Sequence, residues 1–122
     1  VEVAQTVTKA SGVPAQWQPW AGQITIPRGT EILMNATHLG AAPELELVPV
    51  DWHSVNKNMT VVDVITNPRV TPFLQTAREM GCPIVDGVEM LVQLAMQIFQ
   101  EWTGVHPDEA VFQKAVASAL GE

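Results

Sequence analysis

Thr60-Val61-Val62-Asp63-Val64-Ile65-Thr66-Asn67-Pro68-Arg69-Val70-Thr71-Pro72-Phe73-Leu74 is the stretch that decides the fold. Its first six residues are apolar or β-branched except for Asp63, the pattern of a strand buried on both faces of a parallel sheet. Asn67-Pro68 ends the run, because proline cannot donate to a ladder and restricts the residue before it. Thr71-Pro72 then predicts a helix N-cap followed by proline at the first helical position. A strand, a turn and a helix follow one another, and in open parallel sheets ligands collect at such strand ends. Val64 to Pro68 is therefore the first place to look for function.

Working outward, Glu31 to Thr37 predicts a second strand, apolar until it turns polar at Asn35 and Thr37. Pro83-Ile84-Val85 predicts a third, closed by Asp86-Gly87. The helix after Thr71 presents Phe73, Leu74, Ala77 and Met80 to one side and stops at Gly81. Val88, Leu91, Val92, Ala95, Phe99 and Trp102 mark one face of a longer helix ending at Gly104, and Met90, Leu94 and Ile98 mark a second stripe, which calls for two neighbours. A last helix starts at Pro107-Asp108-Glu109 and is expected to bury Val111, Phe112, Ala115, Val116, Ala119 and Leu120. Val1 to Ser11 carries Val3, Ala4, Val7 and Ala10 on one helical stripe before Gly12. Between them, Val13 to Gly29 allows one or two short strands around Ala15–Trp17 and Gln23–Ile26, with Trp17 and Trp20 expected to cover a core edge. Ala41 to Asn58 reads as a long connection with one turn of helix after Asp51.

The order of elements belongs to the α/β class, as the second half of a doubly wound, Rossmann-like parallel sheet with helices at its C-terminal end. No glycine-rich G-x-G-x-x-G or Walker-type turn occurs in the 122 residues. Composition sets outer limits. Hydrophobic residues make up 47% and charged ones 16%, which suits one globular domain over 1–122. The net charge is −7 and the six bases are scattered, which argues against a nucleic-acid partner. Cys82 is the single cysteine, so no internal disulfide forms, and no eighteen-residue apolar run or basic-then-apolar leader is present; a cytoplasmic protein with no membrane partner is the expectation. His38, His53 and His106 have no ligand spacing, so no metal site is expected. Cys82, lacking a neighbouring base, is expected to be buried and inert.

Three segments, Ile32-Leu33-Met34-Asn35-Ala36-Thr37-His38-Leu39-Gly40, Val62-Asp63-Val64-Ile65-Thr66-Asn67-Pro68 with Thr71-Pro72-Phe73-Leu74, and Val85-Asp86-Gly87-Val88-Glu89-Met90-Leu91-Val92, together with Trp102-Thr103-Gly104, resemble in order and spacing the C-terminal half of shikimate and quinate dehydrogenases. The resemblance runs from about Val3 to Leu120. It implies an oxidoreductase that reduces 3-dehydroshikimate with NADPH, of which this chain supplies the cofactor side. It further implies that Ala36 and Thr37 border the dinucleotide, that Val64 lines it, and that Gly87 and Met90 lie near the nicotinamide. Thr66 stands where the family commonly has a substrate-binding tyrosine. Leu94 stands where it has glutamine, and Gln93 lies one place early, a rotation of about 100° on a helix. The family's catalytic lysine and aspartate belong to an N-terminal substrate domain without counterpart here, so no catalytic residue is expected in this chain, and a shikimate-like substrate is expected only when that half is supplied. The rival reading is a catalytically inactive fragment or paralogue that serves assembly. Under either, the Glu31–Thr37 strand would present an open edge. It is expected to be covered by the Ala15–Trp17 segment or by a second copy in a homodimer.

Overall fold

The computed structural model describes residues 1–121. Helix α1 (Glu2–Ser11) leads through an irregular segment to strand β1 (Ile32–Asn35). A short 3-10 turn at Trp52–Ser54 precedes strand β2 (Thr60–Asp63), helix α2 (Pro72–Glu79) and strand β3 (Ile84–Val85). Helices α3 (Gly87–Thr103) and α4 (Glu109–Leu120) complete the chain. The sheet order is β1-β2-β3 with both pairings parallel, in the register Ile32 to Thr60 and Asn35 to Asp63 on one side and Val61 to Ile84 on the other. All three strands therefore run out at the same end of the sheet, the arrangement expected of an α/β half-sheet.

Local sequence explains where the elements start. Thr71 caps α2 by accepting from the Leu74 amide, with Pro72 at the first helical position. Asp86 does the same for α3 through the Glu89 amide, so Asp86-Gly87 opens a helix as well as closing a strand. The core lies on the face of the sheet that α2 covers: Val61, Phe73, Leu74 and Ala77 pack with Ile26, Val50, Val55, Met59 and Cys82. The Trp52 ring leans on Phe73 at 5.4 Å between centroids. The 41–58 connection is thus part of the core wall.

The other face is thinly covered. Ile32 and Met34, which point away from the core, are 62% and 53% exposed. Several expectations fail on this side. No strand forms at Ala15–Trp17, and the Gln23–Ile26 segment contributes only an isolated bridge from Ile24 to Val50. The proline-rich composition there removes the ladder donors that a strand needs. Trp17 and Trp20 are more than half exposed, so neither seals the core, and the Ala15–Trp17 segment does not cover the β1 edge. Helix α1 buries none of its stripe. Helix α4 packs chiefly on α3, with Phe99 and Phe112 edge to face at 5.6 Å, but it has no fully buried residue, and Val111 and Leu120 remain exposed. On α3 only Gly87, Val88 and Val92 are buried; Trp102 is almost fully exposed. Apolar periodicity predicted a helix in each case. It did not guarantee a neighbour to bury it.

Among the described residues no helix is long and apolar enough to cross a membrane, and no cluster of three or more His, Cys, Asp or Glu could hold a metal ion.

Candidate functional site

The parallel register brings the polar ends of β1 and β2 side by side. Asn35 and Asp63 are cross-strand partners, both almost fully buried, and a buried polar side chain must find hydrogen bonds or cost several kcal/mol, on the order of 2–7. They find them in each other. Asn35 Nδ2 donates to both carboxylate oxygens of Asp63 at 3.2 Å, and to the Leu39 carbonyl at 3.0 Å. Asn35 Oδ1 accepts from the Thr37 amide at 3.1 Å and the Thr37 hydroxyl at 2.7 Å, and Thr37 Oγ1 accepts from the Leu39 amide. The loop after β1 is thereby wound around one amide group.

Asp63 completes the other side. Its Oδ1 accepts from the Ile65 amide at 3.1 Å and its Oδ2 from the Thr71 hydroxyl at 2.6 Å. The same Thr71 oxygen caps α2. One carboxylate therefore joins the tip of β1, the turn after β2 and the start of α2, and no buried side-chain polar atom among the described residues is left without a partner. Sequence reading noted Asp63 only as the polar exception in an apolar strand and missed this network. The sequence carried half of the signal, a lone acid inside an apolar strand; its match to Asn35 depends on the strand register.

Gly87 closes the third side. A Cβ added there would fall on the Ile65 carbonyl and lie 2.6 Å from the Val64 carbonyl oxygen, so the start of α3 rests directly on the backbone of the turn after β2. The structure gives a steric reason for glycine: this helix cannot approach the strand end so closely with any side chain present.

The predicted residues divide accordingly. Thr37, Val64, Thr66 and Gly87 come together at the strand tips, with Val64 and Thr66 half-buried and Ala36 exposed between Asn35 and Thr37. Met90 sits one turn along α3, its amide bonded to the Asp86 carbonyl, and borders a groove with Gln93, Leu94, Gln97 and His106. Gln93 reaches instead toward α4, donating to Glu109 at 3.3 Å, where Gln113 also donates at 2.9 Å. Leu94 is half exposed. A groove of about 460 Å³ between α3 and α4, bounded by Arg69, Glu89, Gln93, Glu109, Gln113 and Lys114, is largely self-satisfied through these bonds. His38 is exposed beside Leu39 in a small hollow formed with Ala41 to Glu46.

Beyond the tips, Arg69 Nε bonds Asp86 Oδ2 at 2.9 Å. Partial burial works to raise the Asp86 carboxyl, but the hydrogen bond and charge of Arg69, with backbone donors from Glu89 and Val88, outweigh it and hold the carboxyl below its usual range. Burial alone raises the Cys82 thiol, as expected of an inert cysteine.

No protein-family model matches the chain. It is 35% identical over 91 residues to the shikimate dehydrogenase (NADP(+)) of Methanococcus aeolicus, covering 74% of this chain and 33% of that one. The ligand-free 5-ketofructose reductase of Gluconobacter sp. strain CHM43 superposes with a TM-score of 0.85 at 34% identity, over 97% of this chain and 44% of that one. The quinate dehydrogenase of Corynebacterium glutamicum, solved in complex with NAD, superposes with a TM-score of 0.74 at 26% identity, over 96% and 42%. The chain thus spans about a third of the length of the curated relative and somewhat under half of the solved ones.

Proposed function

The chain belongs to the shikimate/quinate dehydrogenase family, and from that premise we propose that it forms the nicotinamide side of an NADP-dependent oxidoreductase, working on 3-dehydroshikimate and shikimate. The observation that carries this reading is the convergence of three strand tips, with Thr37, Val64–Thr66 and Gly87 held together by the Asn35–Asp63 pair and by backbone contact.

The residues fit one end of a dinucleotide. Exposed Ala36 and half-buried Val64 and Thr66 offer a mostly apolar platform, Thr37 a hydroxyl, and the start of α3 a backbone surface free of side chain at Gly87. Met90, one turn on, would border the ring. The pyrophosphate end is a different matter, since it calls for a glycine-rich turn or cations, and Arg69, in the segment between β2 and α2, is bonded to Asp86. Bound NADP would supply the hydride chemistry. These residues would orient the ring and exclude water from one side of it, and the groups that move the hydroxyl proton lie outside this chain. The domain is accordingly the C-terminal part of a nucleotide-binding domain. The outer edge of β1 pairs with no strand among the described residues, and a strand from the rest of the protein, or from a second copy, would complete the sheet.

A polyhydroxy ketone is the second reading of the substrate. It is favoured by Thr66, short where the family carries tyrosine, by Leu94 in place of glutamine, and by the likeness to 5-ketofructose reductase.

The test is a titration of the chain with NADP+ followed by amide NMR. Shifts are expected at Ala36, Thr37, Val64, Thr66, Gly87 and Met90, saturating in the millimolar range because the phosphates lack an anchor. Shifts confined to other residues, or none at all, would refute the reading. Steady-state hydride transfer by the chain alone is expected to be absent with either substrate.

A further inference from the structure

We infer that Asp63 is a positioning residue, fixing the Thr37 loop and the Val64–Ile65 turn relative to each other so that both present one surface to a ligand; this rests on the cofactor-side reading above. Asp63 is fully buried and never reaches that surface itself. Its four contacts are all with donors: Asn35 Nδ2 on each oxygen, the Ile65 amide on Oδ1, and the Thr71 hydroxyl on Oδ2. Because a carboxylate accepts only, it turns the amine end of Asn35 toward β2 and leaves Oδ1 facing Thr37. Oδ1 then takes both the amide and the hydroxyl of Thr37, so the Thr37 hydroxyl has its proton engaged by Asn35 while its oxygen accepts from the Leu39 amide, which fixes the side chain on both sides. The same carboxylate sets the Ile65 amide, and with it the Val64 and Ile65 carbonyls on which Gly87 rests. A chain of bonds five groups long thus runs from α2 to the loop after β1, with Asp63 as the member that all branches share.

The experiment compares Asp63→Ala and Asp63→Asn with the parent chain by site-resolved amide hydrogen exchange and by NADP+ titration. In Asp63→Ala, the amides of Thr37, Leu39 and Ile65 are expected to exchange at least tenfold faster beyond any change at Val61, whose amide bonds to the Pro83 carbonyl and does not depend on the carboxylate. The NADP+ response at Thr37 is expected to shrink by a similar factor. Asp63→Asn, which keeps the shape and one acceptor, is expected to recover about half of the logarithmic change and to leave the tips exchanging faster than in the parent. A residue that only stabilises the fold would accelerate Val61 as much as the tips, and that uniform result would overturn the inference, as would unchanged exchange at Thr37 and Leu39. If Asp63→Ala does not fold, Asp63→Asn decides alone: acceleration at the tips exceeding that at Val61 supports the assignment, and equal or no acceleration overturns it. A silent NADP+ titration of the parent chain would refute the cofactor reading, and the exchange pattern would still decide the role of Asp63.

Discussion

Substituting Gly87 by alanine probes the glycine whose would-be Cβ is most tightly hemmed by backbone. The added methyl would overlap the Ile65 carbonyl and lie 2.6 Å from the Val64 oxygen, where ordinary contact begins at 3.4 Å, so α3 must retreat by at least about 0.8 Å. Neither neighbour is a side chain that can rotate away. Overpacking a tight site costs about 1–3 kcal/mol, and with backbone on the opposing side the upper end, about 3 kcal/mol, applies. For a chain of this size that lowers Tm by roughly 10–15 °C. Urea unfolding followed by circular dichroism reads the loss as a lower midpoint at unchanged slope. Gly104→Ala provides the contrast, because Gly104 has φ 70° but nothing within 4 Å of its would-be Cβ. Only the left-handed backbone penalty applies there, about 1–2 kcal/mol. A Gly87→Ala protein within 0.5 kcal/mol (~0.5, the usual span of a harmless surface change) of the parent would refute the packing argument.

Thr71→Val removes the cap on the Leu74 amide and the donor to Asp63 at once, and should cost about 2–3 kcal/mol, read as a urea midpoint shift larger than that of Thr76→Val, whose hydroxyl meets only the Pro72 carbonyl. The Asp86 carboxyl is held below its usual 3.8, so the stability it contributes is complete above that value and disappears as pH falls through the lowered folded one. Arg69→Met should flatten this loss in an acid titration of the urea midpoint, by well under about 1 kcal/mol because the Arg69 side chain is 48% exposed. Native Cys82 should react with a thiol reagent far more slowly than the urea-unfolded chain, timed by absorbance, since burial raises its thiol and covers its sulfur. Trp102→Ala should leave Tm within about 2 °C of the parent, as the ring is 84% exposed.

The sequence made β2 and α2 readable because local signals agreed there. An apolar run, a proline stop and a threonine cap all pointed to one structure, and the strand and helix formed within a residue or two of the expected ends. The long helices were equally readable as helices from their glycine stops and acidic starts. Their burial was not. Periodicity reports which side of a helix is apolar, whereas burial depends on how the helices are placed, and α1 and the outer stripe of α3 find no cover among the described residues. That Thr37, Val64 and Gly87 would lie together at the strand tips was legible from the strand ends. The Asn35–Asp63–Thr71 bonds were not, because they depend on a cross-strand register that a one-dimensional reading leaves open.

The two halves of this structure are held by different forces, and the division falls at the site. Beneath the sheet, Val61, Leu74, Ala77 and Phe73 belong to an apolar core in which hydrophobic residues of similar volume would serve. At the C-terminal tips the apolar packing gives out, with Ala36 exposed and Val64 and Thr66 only half-buried. A polar cluster takes over there. Hydrogen bonds are directional where apolar contact is not, so a network through Asn35, Asp63 and Thr71 can keep three loops in register at a surface that is open to solvent. That explains why a strand otherwise suited to full burial carries an acid at its last position: a valine there would fill the space equally well but would leave Asn35, Ile65 and Thr71 without the acceptor they share.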